Sequence, residues 1–293
     1  MKLPRPLYGR ARRIRTRSVG VATLLGTALI MAAAPVGGPP AVPDSGAQGK
    51  DGATAQQRPT VVLVHGAFAD SSSWNGVIQR LKDDGYNVVA AANPLRDVAG
   101  DAAYLRGVLD TIEGPIVLVG HSYGGFVITE AAAGDPDVKA LVYAASFLPE
   151  KNESASALSA KFPGSTLNEN VTSFTYRLPD GSTGTDLVIK PDKFHEQFAA
   201  DVPAAQAALM AATQRPIAAS ALDDKPAATA WKSIPSWVLL TSEDRNIPVA
   251  VQRWMAERAG ARTKEVRSSH AVMVSHPDVV ADFIADAARA TAQ

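Results

Sequence analysis

Cysteine is absent from the 293-residue chain. That one absence removes thiol nucleophiles, zinc–thiolate sites and cysteine-held iron–sulfur clusters from consideration. It leaves export open, because a domain with a large enough core needs no disulfides. The first seventeen residues lack acid, while Lys2, Arg5, Arg10, Arg12, Arg13, Arg15 and Arg17 supply base. There is no internal repeat. The long apolar run that a comfortable transmembrane span needs is also missing: Val19–Ala34 (VGVATLLGTALIMAAA) is apolar but short.

The formal net charge of +0 hides an uneven distribution. Nine basic and two acidic residues lie up to Arg58, leaving 20 basic against 27 acidic residues in the remainder. A body of net charge about −7 has no electrostatic reason to seek nucleic acid or an anionic membrane. The basic stretch followed by Val19–Ala34 and small residues reads as a secretory signal over 1–34, with an uncleaved anchor as the alternative. Arg12–Arg13 fits a twin-arginine signal, although a pair arises easily among so many arginines. Two cleavage positions compete, Ala32-Ala33-Ala34 and Ala53-Thr54-Ala55. Residues 35–58, rich in Pro, Gly, Ala and Ser, read as a flexible leader. After removal of the signal no stable membrane association is expected, and the sequence carries no signature of an oligomeric state.

The whole chain is 46% hydrophobic and 20% charged, ordinary for a globular protein, and 59–293 is long enough for one large domain. Apolar runs at Thr60–His65, Tyr86–Ala91, Pro115–Gly120, Val138–Ala144, Trp237–Thr241 and Arg262–Arg267 predict six strands. Helical patterns fall between them at Trp74–Asp84, Asp101–Glu113, after Gly124, at Val249–Ala259 and at Asp278–Ala290, with Asp101 as the cap of the second. Ser275-His276-Pro277-Asp278 resembles a capping box for the last helix. Continuous apolar strands separated by helices predict a mostly parallel α/β sheet covered on both faces. The rhythm breaks over about 148–233, where a hairpin (Phe174–Leu178 and Asp186–Ile189) and short helical patterns (Asp192–Ala200 and Pro203–Thr213) predict an inserted cap.

Chemistry concentrates in Gly120-His121-Ser122-Tyr123-Gly124, a G-x-S-x-G between a strand and a helix. The turn is so sharp that side chains two residues either side of the serine would collide, hence Gly120 and Gly124, and Ser122 is held in a strained backbone with its hydroxyl exposed. A serine hydroxyl needs a base. His270, after the last strand, is placed to reach it; His65 and His121 read as structural or supporting, His195 as solvated, and His276 as part of a helix terminus. The acid that orients the base should follow an earlier strand, where Asp244 is preferred and Glu243 is the runner-up. Oxyanion donors are expected from the backbone N–H of Tyr123 and from the His65–Phe68 loop, through Ala67 first and Phe68 second. Phe162, Phe194, Phe198, Met210 and Trp231 are candidates for lining the pocket, with plain packing of the cap as the alternative for each.

Four stretches, Val61–Trp74 (VVLVHGAFADSSSW), Gly120–Gly125 (GHSYGG), Thr241–Pro248 (TSEDRNIP) and Ser268–Pro277 (SSHAVMVSHP), together resemble the α/β-hydrolases grouped with plant methyl esterases, hydroxynitrile lyases and bacterial esterases. The resemblance implies Ser122 as nucleophile, Asp244 as acid, His270 as base, and Ala67 with Tyr123 as oxyanion donors. It also implies a six-stranded core that lacks the first strands of the full family fold. No metal or organic cofactor is implied. Hydroxynitrile lyases of this group carry threonine at the position of Gly66 and lysine at that of Ala271, so the resemblance favours an esterase acting on a small-molecule ester. The competing readings are a lyase, lactonase or cofactor-free haloperoxidase-like activity on the same fold, or a non-catalytic binder of small ligands.

Overall fold

A computed structural model describes residues 58–291. The expected signal (1–34) and all of the expected leader except Arg58 lie outside the described residues. The domain opens with β1 (Thr60–Val64), α1 (Asn75–Asp83), β2 (Val88–Ala91), α2 (Val98–Leu109), β3 (Ile116–Ser122), α3 (Gly124–Ala131) and β4 (Val138–Ser146). An insertion follows, built of α4 (Ala155–Ser159), α5 (Leu167–Asn170), β5 (Val171–Arg177), β6 (Thr183–Ile189), α6 (Phe194–Phe198), α7 (Ala204–Thr213) and β7 (Ile217–Ala218). The alternation then resumes with β8 (Ser236–Thr241), α8 (Val249–Arg258), β9 (Arg262–Val266), α9 (Val272–Ser275) and α10 (Pro277–Thr291).

The six expected strands form one parallel sheet in the order β2-β1-β3-β4-β8-β9. Side chains alternate across it. Val62, Val64, Leu118, Leu141 and Val238 join the core on the face shared with α2, α3 and the insertion, while Val61, Leu63, Val117, Val142 and Leu239 join the core on the face of α1 and α10. Burial on both faces is why these strands read as unbroken apolar runs. The edge strand β9 is the exception: it is mostly exposed and carries Arg262, Lys264 and Glu265, charges that discourage pairing with another chain.

The direction of winding reverses at β1 and β3, which pair with Val64 opposite Gly120. The loops leaving these two strands therefore meet at the switch point of the sheet, where open α/β sheets bind ligands. The insertion has an antiparallel sheet of its own, β5-β6-β7.

Two helix starts differ from expectation. The second helix begins at Val98 and is capped by Asp97, which sits in extended backbone and accepts from the Gly100 N–H at 2.6 Å. Asp101 lies one turn inside and is 1% exposed. The Ser275 capping box does not form: Ser275 ends α9 and its hydroxyl is engaged with Ser268 Oγ at 3.0 Å. The last helix starts instead with Pro277 as its first residue, a position where a missing N–H costs nothing.

Candidate active site

The elbow is built by close approach. Ser122 has φ 53, left-handed backbone that costs a non-glycine residue about 1–3 kcal/mol. A Cβ on Gly120 would stand 2.8 Å from the Gly124 carbonyl oxygen, and one on Gly124 would stand 2.7 Å from that of Val64. Gly125 is tighter still, at 1.9 Å from the Phe147 carbonyl oxygen. The Ser122 carbonyl accepts from Ser146 Oγ at 2.8 Å and from the Phe147 N–H at 3.3 Å, so the end of β4 pins the strained residue. Gly66 makes room for the elbow itself, since a Cβ there would lie 2.5 Å from that of Ser122.

His270 and Asp244 come together from the loops after β9 and β8. His270 donates from Nδ1 to Asp244 Oδ2 at 2.7 Å, with both side chains fully buried. Asp244 Oδ1 accepts the N–H groups of Asn246 (2.8 Å) and Ile247 (2.9 Å), and Oδ2 also accepts from Thr241 Oγ1 (3.0 Å) and Gln252 Nε2 (3.2 Å). A carboxylate held by so many donors is fixed in orientation beside the imidazole. Glu243 turns outward to Arg267 at 2.5 Å and takes no part. Gln252 escapes sequence reading because it lies in the middle of α8, where nothing local distinguishes it from a surface glutamine.

His270 Nε2 has no partner among the described residues, which leaves that nitrogen available as an acceptor. Its backbone is held as well. His121 Nε2 donates to the His270 carbonyl at 2.9 Å, and the two rings lie 4.6 Å apart. Burial drives the His121 pKa well down, keeping it neutral. On the cap side Phe198 meets the His270 ring edge-on at 5.0 Å, and Asp201 accepts from both the hydroxyl and the N–H of Ser269.

The remaining histidines are structural. His65 accepts the Asn93 N–H on Nε2 at 3.0 Å and donates from Nδ1 to the Gly66 carbonyl at 2.9 Å, tying the loops after β1 and β2. Burial lowers its pKa to about 4. His195 is exposed and donates to the Val202 carbonyl at 2.8 Å. His276 reaches the Arg267 carbonyl at 3.3 Å.

Ala67 and Tyr123 both line the cavity beside Ser122, and neither backbone N–H has an acceptor among the described residues. The second choice, Phe68, is ruled out because its N–H donates to the Arg215 carbonyl at 3.1 Å. The cavity itself is small, about 50 Å³. Phe147, Leu167, Leu222 and Ile247 supply its apolar wall, and Ser156, Ser159 and Ser165 contribute hydroxyls.

None of the five expected lining residues reaches it. Phe194 and Phe198 stack at 5.0 Å inside the cap, Trp231 donates to the Pro149 carbonyl at 2.7 Å, and Phe162 sits beside Trp254. Met210 lines a separate cleft of about 460 Å³ between α7 and the Asp70–Gly76 segment. Large side chains seat the cap on the sheet, while smaller residues of α4 and α5 leave the space. Among the described residues no group of three His, Asp or Glu is placed to hold a metal ion, and no helix is long and apolar enough to cross a membrane.

A parallel sheet whose third strand ends in a serine elbow, with a buried Asp–His pair at the same edge, defines the class. The chain belongs to the alpha/beta hydrolase family, whose profile matches residues 61–283. Among its relatives is polyneuridine aldehyde esterase of Rauvolfia serpentina, 24% identical over 258 residues, or 80% of this chain and 97% of that one. The carbendazim hydrolyzing esterase of a Nocardioides species is 35% identical over 116 residues, 34% of this chain and 47% of that one. The crystal structure of polyneuridine aldehyde esterase shares the fold, with a TM-score of 0.69 at 23% identity over 78% of this chain and 99% of that one.

Proposed function

We propose that the protein is an exported serine esterase that forms an acyl-enzyme on Ser122. The observation that carries this reading is the 2.7 Å bond from His270 Nδ1 to Asp244, which commits one ring nitrogen and leaves Nε2 as the base. Ser122 Oγ attacks the ester carbonyl while His270 takes its proton. The oxyanion receives the N–H groups of Ala67 and Tyr123, each worth about 3–4 kcal/mol in the transition state. His270 then protonates the departing alcohol oxygen. Water, deprotonated by the same nitrogen, attacks the acyl carbon and frees the acid and Ser122. Asp244 fixes the tautomer and stabilises the imidazolium.

Esterase-named relatives support an ester substrate, and Gly66 and Ala271 lack the threonine and lysine of the lyase branch. The cavity of about 50 Å³ fits a small acyl group. Export rests on the basic and apolar pattern of residues 1–34.

The test is labelling with a fluorophosphonate probe, followed by turnover of p-nitrophenyl acetate and butyrate beside Ser122→Ala. Labelling confined to Ser122 and turnover lost in the variant are expected. An unlabelled Ser122, or equal turnover by the variant, overturns the esterase reading, and mandelonitrile cleavage would assign a lyase. Recovery of the mature chain from the culture medium, with its N-terminus sequenced, tests export.

A further inference from the structure

The proposed chemistry uses the backbone of Tyr123 and leaves its side chain unexplained. That side chain is 1% exposed, and its hydroxyl donates to Asp101 Oδ2 at 3.1 Å. Asp101 is equally buried, and its two oxygens also accept the backbone N–H of Arg96 at 3.1 and 3.2 Å. Arg96 is itself anchored in the cap. Its guanidinium donates to Asp186 at 2.8 Å, to Tyr176 Oη at 3.0 Å and to the Pro216 carbonyl at 2.9 Å. A continuous set of hydrogen bonds therefore runs from the cap sheet to the residue after Ser122.

Packing alone does not require this. Asparagine at 101 and phenylalanine at 123 would fill the same volumes, leave the Arg96 N–H an acceptor and remove only the bond from the Tyr123 hydroxyl. Burial raises the pKa of the Tyr123 phenol, so it remains a donor. What the pair adds is position. Tyr123 precedes the first turn of α3, where backbone N–H groups have no partner within the helix and their direction is set by what holds the residue from outside. The Tyr123 ring is held by stacking on Phe126 at 6.1 Å and by the bond from its hydroxyl to Asp101.

We propose that Asp101 is a positioning residue for the oxyanion hole, fixing the direction of the Tyr123 N–H by holding the Tyr123 hydroxyl. The inference rests on the oxyanion role of Tyr123 in the esterase reading. It is tested on the full chain with p-nitrophenyl butyrate as probe.

Tyr123→Phe and Asp101→Ala are expected to lower kcat about tenfold, with KM changed less than about twofold, because a displaced donor is felt in the transition state. Asp101→Asn keeps an acceptor and loses less than Asp101→Ala. The double variant Asp101→Asn/Tyr123→Phe, which keeps an acceptor for the Arg96 N–H, should stay close to the parent in Tm yet keep the kcat loss, which a purely structural role would not produce. An alkyl trifluoromethyl ketone, which forms the charged adduct on Ser122, should bind more weakly by the same factor as kcat. Variants that fold, label at Ser122 and retain kcat overturn the inference alone. An unlabelled Ser122 in the parent protein overturns the esterase reading and this inference with it.

Discussion

The sheet edge and the inserted cap meet at one cavity but are built by different rules. At the edge, β3 is buried throughout and the elbow glycines touch backbone on every side. In the cap, β5 is largely exposed, Phe174 is 45% exposed and Leu209 is 70% exposed. The edge packs the elbow so closely that its glycines tolerate no added atom. The cap only has to shape a wall, so its surface is free to vary. In the proposed esterase, chemistry and selectivity therefore fall to parts of the chain with unequal tolerance.

The largest test of that contrast is catalytic. Ser122→Ala and His270→Ala are expected to remove about 10⁴-fold or more of kcat, and Asp244→Asn about as much, in steady-state ester assays. A cap mutation with an effect as large would erase the distinction.

Glycine substitutions compare the regions by stability. Gly125→Ala, with its Cβ 1.9 Å from a carbonyl oxygen, should cost about 3 kcal/mol or more in urea unfolding and distort the elbow. Gly181→Ala in the cap hairpin meets nothing within 4 Å and should cost about 1–2 kcal/mol, for its positive φ alone.

Protons probe the edge from another side. His65 has its pKa lowered from 6.5 to about 4, so the unfolded chain binds more protons than the folded one between those values. Stability should be complete above pH 6.5 and fall progressively toward pH 4, by about 3 kcal/mol from this residue. His121, held neutral by burial, adds to the loss in the same direction. Urea midpoints between pH 7 and pH 4 should show it, with a shallower slope in His65→Gln, whose side chain does not titrate.

The smallest effect belongs to the cap wall. Leu167→Ala widens the cavity at Ser122 and should shift kcat/KM about tenfold toward p-nitrophenyl butyrate relative to acetate. Leu209→Gln, out on the cap surface, should change stability by less than about 0.5 kcal/mol.

The same contrast explains which features are legible in the residues alone. Strands β1, β3, β4 and β8 are legible because burial on both faces demands continuous apolar residues. Ser122 is legible because the elbow demands glycines at fixed spacing. Asp101 passes for a helix cap because the residue type is visible in sequence and its surroundings are not; Asp97 is the better placed acid. The pocket wall is hidden because large aromatic residues attract attention, while α4 and α5 are too short to show a period.

By itself the sequence determined the sheet, the strand–glycine–serine–helix elbow and the family, since each is a local or periodic demand on residue type. Only the tertiary structure decided which acid faces His270, which N–H groups stay free, which residues wall the cavity and that Asp101 holds Tyr123. Those are contacts between segments distant in the chain, and residue type alone carries no record of which distant groups become neighbours.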